Sequence, residues 1–189
     1  MKKVLLTLSL LFLLISCEKK ESKIHKEESI LEKEHIAFFE PSDLGAFGSP
    51  TRLLIYADFD ECGEWGGHEE RFEIFAKGDR KFYANYKRTK VDCGKISELY
   101  GKPEFQQPDT LKEIQLSEDN IIAINNYIST LVKSKIKERS PGHAGQTFGV
   151  VKSDSTLVIN VYDDNKDNLD NYNKLLESFK IEKVSYEYR

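Results

Sequence analysis

Between Asp58 and Glu70 the chain gathers Asp58, Asp60, Glu61, Cys62, Glu64, Trp65, His68, Glu69 and Glu70, with Gly63, Gly66 and Gly67 among them. Such a segment offers three kinds of chemistry. Sulfur and imidazole could close a tetrahedral zinc shell from Cys62, His68 and Cys93, with distant His143 as fourth ligand, although no paired C-x-x-C or H-x-x-x-H spacing is present. The carboxylates of Asp58, Asp60, Glu61 and Glu64 could hold calcium, but the loop lacks the bidentate glutamate that closes an EF-hand, and a solvated acidic loop explains them more simply. His68 beside Glu69, or His143 in the loop Pro141 to Gln146, could serve as a general base. Adjacent residues on a strand point to opposite faces, so Glu69 is badly placed to orient His68. No G-x-S-x-G, H-E-x-x-H or phosphate-binding loop occurs. Trp65, the only tryptophan, either anchors a sugar or protein partner from an exposed position or caps the core, and the core cap is the preferred reading. The candidate contact residues are therefore Asp60, Glu64, Trp65 and His68 on one loop and His143 on another. No motif implies a catalytic residue or a cofactor.

The elements that must position these residues follow from periodicity. Leu53 to Phe59 is an apolar run suited to a strand. Phe72, Ile74 and Ala76 alternate with Arg71, Glu73 and Phe75, and after the turn Lys77-Gly78-Asp79 a third strand runs from Lys81 to Val91. The three form a meander. A short strand, Leu111 to Leu116, leads to Ser117, an N-cap followed by Glu118 and Asp119 at the positive end of a helix dipole. That helix carries Ile121, Ile124, Ile128 and Leu131 on one line, with Ile122, Tyr127, Val132 and Ile136 beside it, and Pro141 and Gly142 stop it. Thr147 to Val151 and Thr156 to Tyr162 read as two strands. Asp163, Asp164, Asn165 and Asp167 supply a turn and cap for a second helix with Leu169, Tyr172, Leu175, Leu176 and Phe179. Val184, Tyr186 and Tyr188 alternate to the end. The pattern predicts an α+β domain, a largely antiparallel sheet with two amphipathic helices on one face.

The N-terminus carries an address. Met1, Lys2 and Lys3 form a basic cap, and Val4 to Ile15 is a run of 12 residues broken only by Thr7 and Ser9. A membrane span needs about 20, so this is the hydrophobic region of an export signal. Its end, Leu14-Ile15-Ser16-Cys17, resembles the lipobox of bacterial lipoproteins. The resemblance covers residues 1–17 alone; the rest resembles no characterised family. It implies cleavage after Ser16, a diacylglyceryl group on Cys17 and attachment to a membrane through lipid, since two or more acyl chains hold stably where one does not. Glu18, in place of a retaining aspartate, favours the outer membrane over the inner.

Export bears on the remaining cysteines. Cys62 and Cys93 are the only pair left once Cys17 carries lipid, and an oxidising compartment makes a disulfide the default over zinc. In a meander the first and third strands run the same way, so both cysteines leave the sheet at one end. Those strands lie about 9.5 Å apart, so the loops must converge before the bridge can close.

The chain's 28 basic and 32 acidic residues give a formal charge of −4, and losing residues 1–16 with their two lysines moves it to −6. Such a body does not suit nucleic acid. Hydrophobic residues at 39 % suffice for a core. The expected organisation is a signal peptide at 1–16, an acylated cysteine with a charged tether at 17–50, and one domain at 51–189. From Glu18 to His35 the chain is nearly all Lys, Glu, Ser and His, a solvated coil spanning on the order of 20 to 25 Å, though Ser29 to Phe39 suits a helix if Ile30, Phe38 and Phe39 find a surface. The function expected is that of a non-catalytic binding or scaffolding lipoprotein of the cell envelope, with an envelope protein or glycan as partner. The alternative is a metal-binding protein or metal-dependent hydrolase using Cys62, His68, Cys93 and His143.

Overall fold

The structure, a computed structural model, describes residues 37–138, 145–163 and 166–185. The lipobox, most of the tether, His143, the Pro141-Gly142 stop, Asp164, Asn165, Tyr186 and Tyr188 lie outside them. The fold is α+β: six strands form one sheet, β1 (Leu53–Asp58), β2 (Glu69–Ala76), β3 (Phe82–Lys90), β4 (Gln107–Gln115), β5 (Gln146–Lys152) and β6 (Val158–Asp163). Their order is β4-β3-β2-β1-β5-β6, and every pairing is antiparallel. The helices are a short α1 (Ile96–Leu99), the long α2 (Glu118–Lys137) and α3 (Asp167–Ser178). The expected meander is β1-β2-β3. Helix α2 then carries the chain from edge strand β4 back to β5, which pairs with the free side of β1.

Strand β4 begins four residues before the expected Leu111 and runs through Pro108. Only an edge strand tolerates this, because proline has no N–H to give the ladder. One sheet face presents Leu53, Ile55, Phe72, Ile74, Ala84, Tyr86, Phe148 and Val150, all buried, to Ile124, Ile128 and Leu131 of α2 and Leu169, Tyr172, Leu175 and Leu176 of α3. Burying each large side chain there contributes about 1.5–3 kcal/mol. The Ser117 hydroxyl accepts from Asn120 N–H at 3.2 Å, and the Asn120 amide donates to the Ser178 carbonyl at 2.7 Å, so the start of α2 is tied to the end of α3.

Several expectations change. Ile122 and Ile136 are 54 % and 80 % exposed. At about 100° per residue Ile122 lies about 200° from Ile124, far round the helix from the buried stripe. The N-cap of α3 is Lys166, with no side-chain cap, and Asp167 is the first helical residue. Ile181 to Ser185 is not a strand: Val184 is buried, and the Asn173 side chain takes its N–H and gives to its carbonyl at 2.8 and 3.0 Å. The core also reaches upstream of Thr51, taking in Phe39 and Leu44. The Asn125 Oδ1 accepts from Phe38 and Phe39 N–H at 2.7 and 2.9 Å while its Nδ2 donates to the Phe39 carbonyl at 2.8 Å. This buried amide does the work of a sheet partner for backbone that has none.

Candidate functional site

The loop between β1 and β2 folds back on itself. Phe59 N–H donates to the His68 carbonyl at 3.1 Å, and Cys62 N–H to that of Gly66 at 2.9 Å. Glycine is required at position 67, where a Cβ would come within 2.7 Å of the Phe59 carbonyl and 2.8 Å of Glu61 N. This closure brings Glu61 onto His68: its carboxylate accepts from the His68 N–H at 3.0 Å and pairs with Nδ1. On the other side His68 Nε2 lies 3.5 Å from Glu70 Oε1, and the Phe59 ring stacks on the imidazole at 4.2 Å. The carboxylates that orient His68 are thus Glu61 and Glu70. Glu69 pairs instead with Arg71 at 3.1 Å on the opposite sheet face.

Glu70 has no exposed surface. Its Oε2 accepts from the Tyr86 and Tyr172 hydroxyls at 2.8 and 2.9 Å, and its Oε1 from Arg88 Nε at 2.6 Å. Arg88 reaches on to the Glu182 carbonyl at 2.7 Å. The two acids Glu61 and Glu70 meet the two bases His68 and Arg88, a balanced cluster in which Glu70 is buried and the other three are partly exposed. Burial opposes a charge on His68, but its bonds to Glu61 and Glu70 outweigh this and lift its pKa to about 9. Burial raises the Glu61 carboxyl, and His68 more than reverses that, leaving it lowered. The phenols of Tyr86 and Tyr172 are pushed up, by burial first and Glu70 second. An imidazolium with both nitrogens engaged is no general base near neutrality.

Cys62 and Cys93 form a disulfide, with Cα atoms 5.3 Å apart. The loops after β1 and β3 have converged as the bridge demands, and both sulfurs that the zinc shell needs are spent. No group of three or more metal-binding side chains occurs among the described residues. The acids of the calcium reading go to different places: Asp58 accepts from Arg71 at 2.6 Å on the outer sheet face, Glu61 turns inward to His68, and Glu64 is exposed. Trp65 does not cap the core. It is 51 % exposed and stands edge to face with Tyr100 at 5.0 Å, because the Gly63–Trp65 turn lies outside the sheet, against the β3–β4 connection.

The sheet face away from the helices carries no helix among the described residues. Tyr56 lies over Gly149, where a Cβ would come 2.2 Å from its ring, and the Arg71 guanidinium sits 5.1 Å from the same ring. Leu54, Tyr56, Asn85, Lys87, Leu111 and Val151 line a hollow of about 720 Å³ on this face. A cleft of about 500 Å³ lined by Lys87, Trp65, Tyr100 and Phe105 adjoins it, Lys87 belonging to both. Sequence reasoning found Trp65 and His68, named Glu70 and Tyr172 without joining them to His68, and missed Arg88 and this face. Glu70 shares the parity of buried Phe72 and Ile74, which was the signal for it. No family model, no curated protein and no solved structure matches the chain.

Proposed function

We propose that this chain is a lipid-anchored lipoprotein of the cell envelope, held at the outer membrane through acylated Cys17, whose folded body is a non-catalytic binding module. The observation that carries the reading is the one-sided sheet: two long helices cover one face, while the other offers Leu54, Leu111 and Val151 around a hollow of about 720 Å³. That volume lies in the range of ligand sites. The engagement of His68 by Glu61 and Glu70 supports binding rather than catalysis, since it makes the imidazole part of the fold. The partner is an envelope protein or glycan.

Hydroxyl-radical footprinting of the acylated chain in isolated envelopes, compared with the same chain purified in detergent, tests this. Leu54, Tyr56 and Leu111 are expected to be protected in envelopes, while Ile122 and Ile136 on the outer side of α2 label equally in both. Equal labelling of the sheet face in the two preparations would contradict the reading.

A further inference from the structure

Trp65 and Tyr100 are 51 % and 55 % exposed, yet the loops that carry them are cross-tied at several points. The Cys62–Cys93 bridge joins the two loops, Gln106 Nε2 donates to the Gly67 carbonyl at 2.8 Å, and Tyr100 in turn meets Phe105 edge to face at 6.1 Å. Large rings left half in water return little folding energy for this fixation. A preorganised aromatic surface serves recognition, where ordering a loop on binding would otherwise weaken affinity.

Charge then narrows the ligand. In the cleft beside these rings Glu69 is held by Arg71 at 3.1 Å, a guanidinium it shares with Asp58 at 2.6 Å, which turns its carboxylate toward Arg71. Lys87 and Lys102 line the same cleft and form no ion pair among the described residues. Two free ammonium groups beside the rings repel a cationic ligand, so the aromatic pair is not a cage for quaternary ammonium. A bare acyl chain would leave both lysines dehydrated and unpaired, which is unfavourable. A ligand with a flat apolar face, a hydroxylated rim and a negative charge satisfies every wall. We infer that the Trp65–Tyr100 cleft binds an acidic sugar, a pyranose stacked on the indole with its carboxylate between Lys87 and Lys102. This deepens the binding-module reading and rests on it; the cleft, about 500 Å³, admits a short oligosaccharide.

Trp65 is the only tryptophan, so its emission reports on this site alone. The full mature chain, purified in a detergent without a sugar head group, is titrated with tetragalacturonate, with neutral maltotetraose and with tetraglutamate. The expected result is a saturable change in emission with tetragalacturonate, at least about tenfold weaker binding of the other two, and weakening by added salt. Lys87→Met and Lys102→Met, both at exposed positions, should each weaken tetragalacturonate about tenfold, the loss of one charge-assisted hydrogen bond. No saturable change, an equal response to tetraglutamate, or unchanged affinity in both variants would overturn the inference. Protection of Leu111 in envelopes with no response to the uronate would overturn the ligand class alone. A uronate response without that protection would overturn the role of the open sheet face instead.

Discussion

At the scale of single residues the decisive feature is a charge cluster built on one buried carboxylate, Glu70. Glu70 is fully buried between Arg88, His68 and two phenols. Removing one member leaves its partners charged and unsatisfied, so Glu70→Ala should lose about 3–5 kcal/mol in urea unfolding. Tyr172→Phe should lose about 1–2 kcal/mol, one hydrogen bond to a charged group. His68 has its folded pKa lifted from 6.5 to about 9. Its protonated form is therefore favoured by folding: the stabilisation is complete below about pH 6.5 and drains away as pH rises through about 9. The urea midpoint should fall across that window by the equivalent of about 2–3 kcal/mol and flatten in His68→Gln; a midpoint as steep in the variant would refute the assignment. His68 was legible as a residue of interest because an imidazole within an acidic run could act as a general base or a metal ligand. Its partners were not, since Glu61 reaches it only through a loop closure that no periodicity encodes, and Glu70 reads as one more acid in an acidic run.

At the scale of elements, the meander and the start of α2 read from alternation and capping stand, the acidic cap of α3 and the strand at Val184 do not, and what depended on distant pairing did not follow. The meander, the Ser117 cap and the apolar line of α2 are local patterns. The insertion of β5 beside β1 and the capture of Phe38 and Phe39 by Asn125 join segments more than eighty residues apart, and no short window contains them. The disulfide lies between these cases: compartment and strand direction suggested it, while the convergence of the loops depends on how they fold. The bridge closes a loop of 32 residues, and Cys62→Ser with Cys93→Ser should lower stability by about 3.5 to 4 kcal/mol on the chain-entropy view. Gly67→Ala should disturb the same loop differently, because its Cβ would meet the Phe59 carbonyl and the Glu61 amide. Its expected signature is a His68 imidazole whose titration, followed by NMR, moves down toward 6.5; an unaltered titration would show that the loop accommodates the methyl.

On the proposed function, the whole molecule divides into a membrane address and a water-facing body. No described helix is long and apolar enough to cross a membrane. On the proposed function, lipid on Cys17 makes the attachment. The Asn125 clasp at Phe38 and Phe39 sets where the chain leaves the core toward its N-terminus. Cys17→Ser should move the chain from the membrane pellet to the soluble fraction, as loss of two or more acyl chains removes stable anchoring. Retention in the pellet would mean that the body itself binds membrane. The most direct measurement is intact mass spectrometry of the chain taken from cells. The expected species begins at Cys17, carries the mass of a diacylglyceryl group on its sulfur and lacks residues 1–16. A species that retains the leader, with an unmodified thiol at Cys17, would contradict the account at its root.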